Sequence, residues 1–154
     1  MIAPPPDFPG DPLGRGLWLN ADRLAGQACK ARKAVRAALN AWGLGHMADD
    51  MELLASELTA NAFEHARGPV DLVLQQRAAR VLLEVRDRSR RLPAFRESDE
   101  WSEGGRGLTL VASFSEAWGC WPSENGKTIW CSLPISATAA TPVVETPRVM
   151  EAAR

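Results

Sequence analysis

Glu57, Asn61 and His65 stand four residues apart in a run of strong helix formers, Glu57-Leu-Thr-Ala-Asn61-Ala-Phe-Glu-His65. On a helix that spacing stacks a carboxylate, an amide and an imidazole along one face. A carboxylate there can take a proton from an attacking hydroxyl, and an amide oxygen can ligate a hard cation. Leu53, Leu54, Leu58, Ala62 and Ala66 line the opposite face, an apolar stripe fit for a core. The solvated face of an ordinary amphipathic helix looks the same, so the stretch carries chemistry only in company.

Two further groups supply that company. Val81-Leu-Leu-Glu-Val-Arg-Asp87 alternates apolar residues in a β-rich run and delivers an aspartate where the strand pattern stops. A carboxylate at a strand's end can face a pocket. Gly104-Gly105-Arg106-Gly107 then opens into the helical pattern Leu108-Thr-Leu-Val-Ala-Ser-Phe. Free backbone N–H groups at a helix start bind phosphate, and glycines let the chain approach it closely.

In order along the chain, Glu57-Leu-Thr-Ala-Asn61-Ala-x-x-His65, Val85-Arg-Asp87-Arg-Ser-x-x-x-Pro93, Gly105-Arg-Gly107-Leu-x-Leu-Val111, Trp118-Gly and Gly126-Lys-Thr128-x-Trp130 resemble the histidine kinase-like (GHKL) ATPase superfamily. Within it they are most similar to the bacterial anti-sigma-factor serine kinases. The resemblance spans roughly residues 16 to 135. It implies an α+β two-layer sandwich, a mixed, mostly antiparallel sheet with helices on one face. It also implies ATP and Mg2+ as cofactors, transfer of phosphate to a serine of an anti-sigma-factor antagonist, and a sigma factor held on a separate surface.

The same resemblance assigns roles. Glu57 becomes the general base, Asn61 the magnesium ligand and Asp87 the acceptor for the exocyclic amine of adenine. Gly105, Arg106 and Gly107, continued by Leu108, form the phosphate-facing end of a lid. Thr128 brings a hydroxyl near the adenine, with Lys127 turned away by strand alternation. His65 either approaches the phosphates or answers the helix macrodipole at a C-terminus. Ser89 marks a departure: many members have Asp-x-Gly where this chain has Asp87-Arg88-Ser89, which puts a side chain close to where the base enters. The anti-sigma-like subset often tolerates small residues there. Arg88, Arg90 and Arg91 make a basic run that reads as solvated or as a phosphate or partner patch. Trp118, Trp121 and Trp130 read as core and sheet-face packing rather than as a base-stacking platform.

The elements that position these residues follow from periodicity. Gly16-Leu-Trp-Leu-Asn suggests an edge strand, and residues 21 to 42 a long amphipathic helix capped by Asn20 and ended at Gly43. Residues 49 to 66 carry the first motif on a helix closed by Gly68-Pro69. Residues 70 to 76 and 80 to 86 read as an antiparallel hairpin, residues 107 to 116 as a helix, and Pro122 to Gly126 as the turn of a last hairpin. Residues 88 to 104 are polar and patternless, a length at which loops are commonly functional. Residues 1 to 15 and 136 to 154 lack hydrophobic pattern and read as disordered ends around one domain, residues 16 to 135.

Composition sets the outer bounds. The chain has 154 residues, 45% of them hydrophobic, enough for one core, and a formal charge of −1 argues against direct nucleic-acid binding. No apolar run has the length of a membrane span and the first residues lack a signal-peptide pattern, so a cytoplasmic protein without membrane contact is expected. Cys29, Cys120 and Cys131 show no C-x-x-C spacing and read as reduced packing residues. Besides the kinase, two classes compete: a nucleotide-sensitive binding switch without transfer activity, and a sensor histidine kinase domain. The last would need a helix pair bearing a phosphoacceptor, which His46 after Gly45 does not suit. A homodimer is compatible with the resemblance.

Overall fold

The computed structural model describes Ile2, Pro4 and residues 13–21, 27–65, 68–92 and 106–135, except for a few side chains at element ends. Among the described residues five strands and three α-helices follow the order β1 (Leu13–Ala21), α1 (Gln27–Ala41), α2 (Ala48–His65), β2 (Val70–Arg77), β3 (Arg80–Asp87), α3 (Arg106–Phe114), β4 (Ala117–Ser123) and β5 (Gly126–Pro134). One turn of 3-10 helix, Gly45–Met47, leads into α2.

The strands form a single sheet in the order β1-β2-β3-β5-β4. All four ladders are antiparallel. Among the described residues the parallel component expected of the sheet is the isolated bridge of Ile2 with Cys120. β3 lies at the centre, flanked by β2 and β5, and its middle residues are buried on both faces.

Pairing register sorts the two faces, because residues directly opposite in an antiparallel ladder share one side. Val70, Leu72, Leu74, Val81, Leu83, Val85, Ile129, Cys131 and Leu133 point to the helices and are buried in the core. The helices answer with apolar rows at three- and four-residue spacing. α1 contributes Ala31, Val35 and Leu39, and α2 contributes Met51, Leu54, Ala55, Leu58 and Ala62. Leu53 departs from the expected stripe and is only partly buried; Met51 and Ala55 take its place on the core side. The result is the two-layer α+β sandwich with helices on one face.

Ala21, expected as the first residue of α1, belongs to β1; the described part of α1 starts at Gln27, and residues 22–26 lie outside the described residues. Asn20 is a strand residue whose Nδ2 donates to Asp71 Oδ1 at 2.6 Å across the β1–β2 ladder. The helix ends as expected at Gly43, with φ at 75°. There Leu44 N–H donates to Leu39 O at 2.7 Å and Gly43 N–H to Asn40 O at 3.1 Å, the paired bonds of a Schellman stop. Arg36 ties α1 to α2, with Nε at 2.8 Å and Nη2 at 2.7 Å from the two oxygens of Glu52, and a further contact to Asp49. This fork holds the Glu52 carboxyl below its ordinary range.

Candidate functional site

The site residues fall in two groups, one on α2, which packs against α3 and β3, and one at the end of β3. The first group is Glu57 with Asn61, one turn apart on α2. Both are partly buried. The Oδ1 atom of Asn61 is fully buried and has no hydrogen-bond partner among the described residues. An unpaired buried carbonyl oxygen costs about 1–3 kcal/mol, so this atom has hard-donor capacity that no described residue uses. Glu57 faces α3: a Cβ on Gly107 would lie 2.6 Å from Glu57 Oε2. Glycine at the first turn of α3 is therefore what lets the carboxylate sit there. The first and third motifs are brought together.

The second group centres on Asp87, the last residue of β3. Its Oδ1 accepts the Ser89 N–H at 2.7 Å, and the Ser89 hydroxyl in turn accepts the Arg91 N–H at 3.2 Å, so the chain leaving the sheet is shaped by its own side chains. Ser89 thus has a turn-building use. Gly126 packs so tightly under this turn that a Cβ would stand 1.8 Å from Asp87 O. The second motif and the last also meet.

Lys127 overturns its expected orientation. It lies directly opposite Asp87 in the β3–β5 ladder and shares its face. Its Nζ stands 2.8 Å from Asp87 Oδ2, with each side chain 1% exposed. Thr128 consequently points to the other side of the sheet, paired with Arg86, and its hydroxyl does not join Asp87. The physical reason is the two-residue period. Ile129, Cys131 and Leu133 are the core-facing residues of β5, and counting back from them puts position 127 inward and 128 outward. That apolar register was present in the sequence and is the signal that finds Lys127.

The remaining expected residues divide. Leu108 is buried in the core, so only its backbone is free to meet a ligand. Arg106 opens α3. The side chains of Arg106 and His65, all of Gly105, and most of the expected lid, residues 93–105, lie outside the described residues. Arg90 Nη2 donates to Glu124 O at 2.8 Å, which anchors the post-β3 turn to the β4–β5 hairpin, whereas Arg88 and Arg91 are exposed. Trp130 is buried with its indole over Gly119, where a Cβ would meet Nε1 at 2.8 Å. Trp118 packs against the core, but Trp121 is 42% exposed, contrary to the packing role expected for it. His46 is exposed and its Nε2 is 3.1 Å from Ile135 O, so the ring is tied to the end of β5.

A solvent-open groove of about 380 Å³ runs along α1 and α2, lined by Arg32, Asp49, Glu52, Leu53, Ser56 and Glu57. Sequence reading missed it, because the groove depends on how the two helices cross. Among the described residues no cluster of three His, Cys, Asp or Glu side chains could hold a metal alone. A magnesium ion carried in by nucleotide phosphates needs less, and the orphaned Asn61 oxygen fits it as one hard ligand.

An antiparallel sheet with its described helices on one face, a Glu/Asn helix face packed against α3 and an aspartate closing the central strand agree with the class that the sequence motifs resemble. The family model of the histidine kinase-like ATPase domain matches residues 20–133, and the chain belongs to that family. Domains of this family bind ATP. No curated protein matches the chain. Among the described residues no helix is long and apolar enough to cross a membrane.

Proposed function

We propose that the protein is an ATP-binding anti-sigma regulatory factor that phosphorylates a serine or threonine of an anti-sigma-factor antagonist. The observation that carries this reading is the Glu57–Asn61 pair: a carboxylate held open by Gly107 and, one turn on, a buried amide oxygen without a partner. ATP with magnesium, when bound, supplies the γ-phosphoryl group and the charge that neutralises it.

The chain's own residues do the rest. Asn61 Oδ1 would be the protein's ligand to the magnesium ion. Asp87 accepts from the base. Glu57 takes the proton from the incoming hydroxyl, so that the new O–P bond forms as the bond to the leaving ADP oxygen breaks.

The test is Glu57→Ala. ATP affinity should stay within a few-fold, while transfer of ³²P to the partner recovered with the wild type falls by on the order of 10²–10⁴. Wild-type protein that holds its partner in an ATP-dependent way and never phosphorylates it would replace the kinase with a nucleotide-sensitive switch.

A further inference from the structure

Asp87 and Lys127 are buried together with hydrogen-bonding capacity to spare. The 2.8 Å contact between Nζ and Oδ2 is an ion contact, yet neither atom makes an aligned hydrogen bond among the described residues. An ammonium has three donors and a carboxylate oxygen two lone pairs. Removing both charges from water is costly, and unspent donors and acceptors add to that cost. A pair kept only to hold the sheet together would be expected to use those bonds.

The backbone gives the pair little freedom. Asp87 and Lys127 are register partners at the last rung of the β3–β5 ladder, and Gly126 lies against the Asp87 carbonyl more closely than any other residue could. Asp87 Oδ1 is committed to Ser89 N–H at 2.7 Å, so it is Oδ2 that stands beside the ammonium. What faces the helix layer is therefore a donor next to an acceptor.

We propose that Lys127 reads the base of the bound nucleotide. A purine carries the complementary pair on its Watson–Crick edge: in adenine, N1 accepts from Lys127 Nζ while the N6 amine donates to Asp87 Oδ2. Guanine offers the same chemistry in swapped order, O6 to the lysine and N1–H to the aspartate. The inference rests on the nucleotide site proposed above and adds to it a second base contact.

The test is titration calorimetry with Mg2+ and ATP, 1-deaza-ATP or GTP. 1-deaza-ATP keeps the amine and replaces N1 by C–H. Wild-type protein should bind it roughly 10- to 100-fold more weakly than ATP, the worth of one hydrogen bond to a charged group. Lys127→Met should erase that difference. A preference for GTP that Lys127→Met abolishes assigns the same pair to guanine. Equal binding of ATP and 1-deaza-ATP by the wild type, with no preference for GTP, overturns the role of Lys127 and leaves the nucleotide site standing. Wild-type protein that binds none of the three overturns both. The decisive comparison uses the unaltered protein, so it does not depend on the variant folding.

Discussion

Gly107 and Glu57, fifty residues apart in sequence, touch at the start of α3, where an added Cβ would come within 2.6 Å of Oε2 and 3.7 Å of the Glu57 Cβ. The first turn of α3 and the carboxylate on α2 share one small space, and glycine is what leaves room for the carboxylate. The atom in the way belongs to the far end of a flexible side chain. A methyl would therefore move Glu57 rather than break the fold.

Gly107→Ala should accordingly separate stability from activity. Helix propensity changes by at most about 1 kcal/mol in alanine's favour, so the thermal midpoint should hold or rise by a few degrees. Phosphotransfer to the partner should fall at least about tenfold, because a base moved by an ångström no longer meets the hydroxyl. A variant with full transfer rate would show that the Glu57 position does not matter.

Asn61→Ala should make the protein more stable and less able to bind. It removes a buried oxygen with no partner and installs a better helix former, together about 0.5–2 kcal/mol. At roughly 2–4 °C per kcal/mol the midpoint rises by several degrees. Magnesium-dependent ATP binding should disappear in the same variant. A drop in midpoint, or unchanged binding, would count against a ligand site at Asn61.

Gly126→Ala meets backbone instead of a side-chain tip. Its Cβ would fall 1.8 Å from Asp87 O and 2.7 Å from Arg88 Cα, so β3 and β5 must part at that rung. Loss of about 2 kcal/mol or more is expected, read as a lowered urea midpoint. Nucleotide binding should weaken alongside it, since Asp87 and Lys127 separate.

The thiols predict their own reactivity. Cys29 is partly exposed while Cys120 and Cys131 are buried. A thiol reagent at neutral pH should thus label one cysteine quickly in the native protein and all three after denaturation. Burial pushes the Cys131 thiol from its ordinary 9.0 up to about 12. The folded state keeps this proton longer than the unfolded chain, so its contribution is complete below about pH 9 and is lost as pH climbs towards 12. Urea midpoints across that window should fall more steeply for the wild type than for Cys131→Val.

The β2–β3 hairpin was legible to within a residue, because two β-rich runs with a short gap admit little else. α2 was equally plain from its apolar spacing. The start of α1 was not: an asparagine before a helical pattern signals a cap, and nothing local distinguishes it from Asn20 reaching across to Asp71. Lys127 misled for a different reason. A lysine on a strand is ordinarily a solvent residue, and that prior outweighed the apolar alternation of Ile129, Cys131 and Leu133 that turned it inward. Glu57 and Gly107 were each visible as motifs, but their contact depends on the packing of α2 against α3.

The last described strand is not at the margin of the sheet. β5 inserts between β3 and β4, so during synthesis the domain must wait for residues 126–134 with β3 bare along one side. The bare edge is a template for pairing with another chain, and the ladder that closes it runs from Asp87 with Lys127 to Arg80 with Pro134, pairs far apart in sequence and slow to form. Folding on the ribosome should therefore finish abruptly, with strand closure and the Asp87–Lys127 rung arriving in one step. Truncations ending before Gly126 should behave as aggregation-prone chains rather than as smaller stable domains.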